Sequence, residues 1–120
     1  MEIVIIIGAS DKPERYSYQA KNLLSEYGHK TLLVHPRLQQ IEGQEVYHGL
    51  SEIKETPDTI SMYVNPKLSS PLLSDILRLA PKRVIFNPGT ENQDLCTELN
   101  KHGIKTEEAC TLVLLRTGQF

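Results

Sequence analysis

The sequence is 120 residues long, the size of one domain and too short for two separate hydrophobic cores. Hydrophobic residues make up 39% and charged residues 23%, a balance that excludes a largely disordered chain. The net charge of −2 excludes the basic surface needed for nucleic-acid binding, and no apolar run reaches the roughly 20 residues that cross a bilayer. We therefore expect one domain over residues 1–120, with neither nucleic-acid nor membrane partners.

The cysteines and the first residues indicate the compartment. Cys96 and Cys110 have neither the density of a disulfide scaffold nor the spacing of a metal site. Met1-Glu2 precedes a short β-branched run, without the basic start and longer apolar stretch of a signal peptide. We expect a cytoplasmic protein with reduced thiols and no bound metal.

Hydrophobic periodicity predicts strands that alternate with helices. Ile3–Ile7 is a continuous β-branched run, typical of a strand that is buried on both faces. Apolar residues then recur at helical spacing, and Gly28 stands where such a helix ends. The first predicted elements are therefore a strand over Ile3–Ile7, a helix over Ser17–Tyr27 and a strand over Lys30–His35.

The middle of the chain, residues 37–57, is the least regular part. It suggests a turn with a short extended piece in Ile41–Tyr47 and one helical turn at Leu50–Ile53. Alternation then resumes, with predicted strands at Thr59–Val64, Arg83–Phe86 and Ile104–Thr106, and predicted helices at Lys67–Leu79, Glu91–Lys101 and Cys110–Leu115. This order predicts an α/β fold, a Rossmann-like, doubly wound, five-stranded parallel sheet in a three-layer αβα arrangement.

Ligands of such a sheet bind outside the carboxyl ends of the strands, where the strand order reverses. The first loop there, Gly8–Tyr16, carries a glycine that permits close approach and a serine hydroxyl that can donate to a phosphate oxygen. The helix that follows favours an anion at its start, and Lys12 and Arg15 add positive charge. The first loop thus predicts a phosphate site. The alternative is that Ser10 or Asp11 only caps the turn and that the cations are solvated.

The end of the second predicted strand bears on the kind of nucleotide. The first loop is not Gly-x-Gly-x-x-Gly, and the second strand ends in His35-Pro36-Arg37 rather than in the acidic residue that binds the ribose of NAD. An arginine here suits an extra phosphate near the ribose, as in NADP or the 3′-phosphate of coenzyme A. The residues alone favour a phosphorylated adenosine and leave these two ligands open.

A resemblance to a known family is carried by the first loop and its continuation, which read Gly8-Ala9-Ser10-Asp11-Lys12-Pro13-Glu14-Arg15-Tyr16-Ser17-Tyr18. This stretch resembles the opening of small stand-alone coenzyme A-binding proteins, whose domain is similar to the N-terminal part of the succinyl-CoA synthetase α subunit. Val34-His35-Pro36-Arg37 resembles the family's Val-x-Pro followed by a basic residue. Tyr63–Pro66 and Asn87–Gly89 fall where the family's third and fourth strands end. The resemblance covers nearly the whole chain.

The resemblance implies binding of coenzyme A or an acyl-CoA through the phosphorylated ADP moiety. The diphosphate would be cradled by Gly8, Ala9 and Ser10 beside Lys12, and supported by Arg15 and Ser17. The adenosine and its 3′-phosphate would be flanked by Pro36 and Arg37. The nucleotide and pantetheine path would be lined by Val64, Asn65 and Pro66, and further along by Asn87, Pro88 and Gly89.

Catalysis is not expected from this chain. No histidine stands with a carboxylate and a nucleophile at a recognisable catalytic spacing, and Glu107 and Glu108 are expected only to favour the start of the last helix. We therefore predict a non-catalytic coenzyme A-binding module, a sensor or carrier. Two alternatives stay open, an NADP(H)-binding oxidoreductase fragment and an interaction protein with an unused crevice. The apolar run Leu112–Leu115 leaves a homodimer open as well.

Overall fold

The computed structural model describes every residue from Met1 to Phe120 and contains one seven-stranded sheet. The strands are β1 (Ile3–Ile7), β2 (Lys30–Val34), β3 (Gln40–Ile41), β4 (Gln44–Tyr47), β5 (Thr59–Met62), β6 (Arg83–Phe86) and β7 (Lys105–Glu108). Their order in the sheet is β3-β4-β2-β1-β5-β6-β7. Every pair of neighbours is parallel except β3 and β4, which are antiparallel.

Five helices cover the two faces of the sheet. They are α1 (Tyr16–Glu26), α2 (Pro66–Ser69), α3 (Leu73–Leu79), α4 (Gln93–Lys101) and α5 (Thr111–Arg116), with 3₁₀ turns at Leu50–Glu52 and Ser70–Leu72. Helices α1 and α5 lie on one face, whereas α3, α4 and the first 3₁₀ turn lie on the other. None of the helices combines the length and the apolar content that crossing a bilayer requires.

Strand β1 shows why the middle layer is buried on both sides. Successive side chains of a strand point to opposite faces, so Val4 and Ile6 pack towards Leu115 of α5 while Ile5 and Ile7 join the larger cluster under α3 and α4. These four residues of β1 are each 4% exposed or less. Since each such side chain contributes about 1.5–3 kcal/mol on burial, this strand anchors the loop that leaves its carboxyl end.

The prediction of a five-stranded parallel sheet is wrong in two respects, because the irregular middle segment adds two strands and these two pair with each other in the antiparallel direction. β4 extends the sheet beside β2, pairing Val46 with Leu33, and β3 folds back on β4 through a two-residue turn. Both turn residues, Glu42 and Gly43, have positive φ angles of 49° and 81°, as tight hairpins require. A glutamate at the first turn position is not a usual hairpin signal, and the strands are too short to show alternation. The five strands that were predicted are all present.

The predicted helix over Lys67–Leu79 is broken in the structure into α2, a 3₁₀ turn and α3. The break lies at Pro71, whose nitrogen carries no hydrogen to donate and whose ring obstructs the preceding turn. Leu68 belongs to the apolar spacing that suggested one helix, yet it is 58% exposed. The interruption therefore leaves an apolar side chain at the surface, next to the ligand edge of the sheet.

The last strand and the helix before it also differ from prediction. β7 extends to Glu108, so Glu107 and Glu108 lie in a strand rather than ahead of a helix. Glu107 faces Arg83 of β6, at 3.6 Å between carboxylate and guanidinium, so its role is structural for a different reason than expected. Helix α4 begins at Gln93 because the Asn92 side chain accepts the N–H of Leu95 as its N-cap.

Asp58 provides a test of the fold at low pH. Its carboxylate accepts the N–H of Ile3 at 2.8 Å, and this hydrogen bond, with Lys82 nearby, lowers the pKa of Asp58. A lowered pKa stabilises the fold above the ordinary aspartate pKa of about 3.9, and the gain is lost as the pH falls through the lower folded-state pKa. Asp58→Asn should lower the free energy of unfolding by about 1 kcal/mol at pH 7. Urea denaturation of both proteins at pH 7 and pH 3 should show that the difference in free energy of unfolding between wild type and Asp58→Asn is smaller at pH 3. An equal difference at both pH values would contradict this role of Asp58.

Candidate functional site

The strand order reverses between β1 and β5, where the chain first builds the sheet outwards through β2 and later through β6. The loops that leave β1 and β5 diverge at this point and open a crevice at the carboxyl edge. The first loop is tied to its neighbour by two hydrogen bonds, since the N–H groups of Gly8 and Ala9 both donate to the carbonyl oxygen of Val34 at 3.1 Å. The crevice is thus built on the buried centre of the sheet.

A cleft of about 380 Å³, here called the polar cleft, lies in this crevice; its walls are Gly8, Ala9, Ser10, Asp11, Lys12, Arg15, His35 and Leu38. The backbone N–H groups of Ser10 and Asp11 have no acceptor within the protein. The Ser10 hydroxyl oxygen accepts the N–H of Lys12 at 3.1 Å, which caps the turn and leaves the hydroxyl hydrogen free to donate. Two bare amides and a hydroxyl donor on a glycine-containing loop can together bind an oxyanion.

The cations around the polar cleft are not neutralised by the protein. Neither Lys12 nor Arg15 lies within ion-pair distance of a carboxylate, and the same holds for Arg37 on the neighbouring turn. Asp11 contributes one negative side chain to the walls. Three unpaired cations against one carboxylate leave a local positive charge on a protein whose net charge is −2. Such a site attracts anions through local geometry rather than through the field of the whole molecule.

A second, mostly apolar depression adjoins the polar cleft and shares Gly8 with it. This apolar groove has a volume of about 170 Å³ and is lined by Ile7, Gly8, Val34, Pro36, His48, Gly49, Leu50, Val64, Leu68 and Leu72. Val64 lies so close to Gly8 that a Cβ atom on the glycine would stand 2.9 Å from its Cγ1. The two depressions form one continuous surface for a ligand with a charged part and an apolar part.

A cleft of similar volume, about 390 Å³, lies at the opposite edge of the sheet, among the amino ends of the strands. Its charges pair with one another: Arg83 lies 3.5 Å from Glu2 and 3.6 Å from Glu107. Parallel sheets bind ligands at the other edge. No group of three or more His, Cys, Asp or Glu side chains could hold a metal ion. The polar cleft and the apolar groove are therefore the candidate site.

Similarity to known proteins extends over nearly the whole chain. Residues 2–116 match the family described as CoA binding domain. The chain belongs to that family. One similar structure is the crystal structure of an uncharacterized protein whose sequence is 38% identical to this chain, with a TM-score of 0.94. The match covers 100% of this chain and 98% of that protein's chain.

Two further structures extend the comparison to named organisms. A Thermus thermophilus protein is 26% identical, with a TM-score of 0.89 over 99% of this CoA-binding domain and 90% of that chain. The dinucleotide-forming acetyl-coenzyme A synthetase 1 of Ca. Korarchaeum cryptofilum shares the fold, with a TM-score of 0.73 at 16% identity. The match covers 87% of this domain but only 25% of the synthetase, so the same layered unit also occurs inside a much larger enzyme.

The structure brings together half of the residues that the sequence pointed to in this CoA-binding domain. Gly8, Ala9, Ser10, Lys12 and Arg15 all line the polar cleft, and Pro36 and Val64 line the apolar groove. Ser17 lies at the start of α1 and is 5% exposed. Pro66 is the first residue of α2, and Pro88 lies at the surface beyond β6.

Three predicted residues are already engaged by the protein itself. The Asn65 side chain caps α2 by accepting the N–H of Leu68, and the N–H of Gly89 donates to the carboxylate of Glu91. Asn87 is 2% exposed, and its side-chain amide donates to Ser61 and to the Met62 carbonyl while its oxygen accepts the N–H of Thr111. The Asn87 side chain therefore joins β5, β6 and α5 and does not face the ligand edge.

The Tyr63 hydroxyl lies beside the polar network around Asn87 without a hydrogen bond to it. The Tyr63 hydroxyl is buried and has no hydrogen-bond partner, and burial raises the pKa of Tyr63 to about 12. Ser61 and Thr111 share a hydrogen bond of 2.8 Å beside it. This tyrosine therefore stays neutral at physiological pH and adds no negative charge at the carboxyl edge of the sheet.

The apolar groove contains residues that the sequence analysis missed. His48, Gly49 and Leu50 come from the irregular middle segment, and Leu68 and Leu72 flank the break at Pro71. No local pattern marks His48 and Gly49 as site residues, because β4 must first place their segment beside β2. The Pro71 break was visible in the sequence, and it was the one available signal that Leu68 would not face the core.

Proposed function

We propose that this CoA-binding domain holds coenzyme A or an acyl-CoA by its phosphorylated ADP part and has no catalytic activity of its own. The observation that carries the proposal is the polar cleft, where two backbone N–H groups without acceptors stand beside the unpaired Lys12 and Arg15. A diphosphate meets both requirements, since its oxygens accept hydrogen bonds and its charge balances the cations. Membership of the family supports coenzyme A over other diphosphates.

The apolar groove supports a ligand that is more than a diphosphate. It shares Gly8 with the polar cleft and is walled by Pro36 and Val64, so one ligand can place its charge in the cleft and an apolar part in the groove. Arg37 stands on the turn that follows β2 and has no ion-pair partner. We assign to it the additional phosphate on the ribose of coenzyme A.

A binding role without chemistry is supported by the hydrogen bonds of the cleft. Ser10 accepts a backbone N–H, and His35 accepts two backbone N–H groups. Neither residue has the base or the carboxylate partner that activates a nucleophile or orients a general base. The proposed role is therefore that of a sensor or carrier, with the chemistry of any acyl group left to another protein.

The experiment is isothermal titration of the intact chain with coenzyme A, 3′-dephospho-coenzyme A and NADPH. We expect coenzyme A to bind most tightly, with the dephospho form weaker by about tenfold or more, because one charge-assisted contact is absent. NADPH should bind more weakly than coenzyme A. Tighter binding of NADPH would favour an NADP-binding protein, and the absence of binding for all three would leave an interaction protein with an empty crevice.

Leu68 allows a test of the groove that leaves the fold intact. Leu68→Ser should weaken coenzyme A binding by about threefold to tenfold, because it removes apolar surface on which the ligand would pack. The free energy of unfolding should change by less than about 0.5 kcal/mol, since the side chain is 58% exposed. Val113→Ser, an exposed apolar residue of α5 outside the groove, is the matched control. Equal affinities for both variants would count against the groove as part of the site.

A further inference from the structure

The turn after β2 is held by a histidine side chain. The Nδ1 atom of His35 accepts the N–H of Arg37 at 3.0 Å and the N–H of Leu38 at 3.1 Å. The backbone N–H of His35 donates to the carbonyl oxygen of Tyr47 on β4, which fixes the start of the turn. The imidazole therefore replaces the backbone acceptors that this turn lacks, and it determines where the Arg37 side chain begins.

The two hydrogen bonds require a neutral imidazole. An Nδ1 atom that accepts from two donors must carry a lone pair, so the ring proton resides on Nε2. Protonation at Nδ1 would place an N–H against two other N–H groups and would remove both bonds at once. The ring also lines the polar cleft, so this change would occur at the wall of the candidate site.

Charged groups from three segments face the ring. Arg37 stands on the same turn, His48 follows β4, and Asp11, with Lys12 and Arg15, belongs to the first loop. Burial and the charges of Arg37 and His48 oppose a positive imidazole, and Asp11 favours one. The net result is a lowered pKa for His35, with burial as the largest cause.

We propose that His35 is a positioning residue for ligand binding, whose neutral ring holds the Arg37 turn in its binding geometry and whose protonation releases that turn. Nucleotide affinity then falls in acid, although a positive ring would itself attract a phosphate. This inference rests on the proposed function of the site, and it adds a histidine whose protonation sets the pH range in which the ligand stays bound.

The direction of the pH effect follows from linkage. Because the pKa of His35 is lowered in the folded state, its contribution to stability is complete above the ordinary histidine pKa of about 6.5, declines below it, and is lost as the pH falls through the folded-state pKa. The ligand-binding turn should be held throughout the neutral range and released in moderately acidic solution.

The test compares wild type with His35→Asn from pH 8 to pH 5.5, by titration calorimetry with coenzyme A. An asparagine oxygen can accept the same N–H groups but does not titrate. We expect wild type to lose more affinity than His35→Asn over this range, by less than about tenfold, because a histidine with a pKa below 6.5 is only partly protonated at pH 5.5. The titration of the ligand's own phosphate is common to both proteins and cancels in the comparison.

His29→Asn is the matched control, because the Nδ1 atom of His29 also accepts a backbone N–H, that of Glu2, at the opposite edge of the sheet. It should keep the affinity and the pH dependence of wild type. An identical pH dependence in His35→Asn, or an affinity of wild type that rises in acid, would overturn the inference.

Amide NMR of the ligand-free protein separates this inference from the proposed function. The Arg37 and Leu38 amide signals should move together with the His35 ring, with one midpoint below pH 6.5. If they do so while coenzyme A does not bind at any pH, the positioning role stands and the proposed ligand is wrong. If coenzyme A binds but these signals do not follow the ring, the positioning role is wrong.

Discussion

Arg37→Ala is expected to weaken the binding of coenzyme A by about tenfold to a hundredfold and to leave the binding of 3′-dephospho-coenzyme A nearly unchanged. The reason is that the guanidinium has no carboxylate partner in the protein, so all of its hydrogen-bonding capacity is available to a phosphate. A charge-assisted hydrogen bond contributes about 1.5–3 kcal/mol, and about 1.4 kcal/mol corresponds to a factor of ten. Titration calorimetry with both ligands measures the two affinities.

Arg15→Ala separates the two phosphate positions. Arg15 lines the polar cleft, so its loss should weaken both ligands by a similar factor, because both carry the diphosphate. Arg116→Ala removes the same charge from the far end of α5, where the arginine has no ion-pair partner, and should change neither affinity. If Arg37→Ala weakened both ligands equally, or neither, the assignment of the ribose phosphate to this side chain would be wrong.

Gly8→Ala should lower the free energy of unfolding by about 3 kcal/mol and the melting temperature by about 10 °C. Two costs combine at this position. The φ angle of Gly8 is +91°, where an alanine is strained, and the new Cβ atom would stand 2.9 Å from the Val64 Cγ1 atom and 3.2 Å from the Tyr63 backbone. Thermal and urea denaturation measure the loss. Coenzyme A binding should fall as well, because the first loop must move away from Tyr63 and Val64, the residues that follow β5.

Gly28→Ala is the matched control for the steric part of this effect. Gly28 has a similar φ angle of +86°, but no atom lies within 4 Å of a Cβ atom built there. Its substitution should cost only the conformational strain, about 1 kcal/mol, and should leave ligand affinity unchanged. Equal losses of stability in the two variants would show that the close approach of Gly8 to Tyr63 and Val64 adds nothing to the cost.

The hairpin of β3 and β4 shows where local reasoning about the fold failed. Four of the five predicted strands are mostly apolar or β-branched and mostly buried, which makes them visible in the sequence, whereas β7 is a polar edge strand with no buried residue. β3 and β4 are two and four residues long, and most of their side chains are not fully buried. They exist because β2 offers an unpaired edge and because Glu42 accepts hydrogen bonds from Lys21 and Tyr18 of α1, each at 2.7 Å. Neither condition can be seen within the segment itself.

The residues of the candidate site also fall into two groups, those that local sequence features predict and those whose direction depends on packing. The first loop was predictable, because a glycine after a buried strand, a serine and two cations are local features of the chain. The family resemblance implied that Asn87 lines the ligand path, yet its amide lies inside the protein with three structural partners. A residue at the end of a strand can point to the crevice or back into the core, and only the packing of α5 selects between them.

The alternation of strands and helices could be predicted from the sequence alone, as could the candidate ligand edge of the sheet and the candidate phosphate loop, because each of these depends on neighbours along the chain. The remaining features depend on contacts between distant segments and follow only from the assembled fold. It added two strands, exposed Leu68 beside the groove, turned Asn87 inwards and placed the His35 ring under the Arg37 turn. Those contacts form only when the sheet is assembled, and for this reason no pattern of nearby residues contains them.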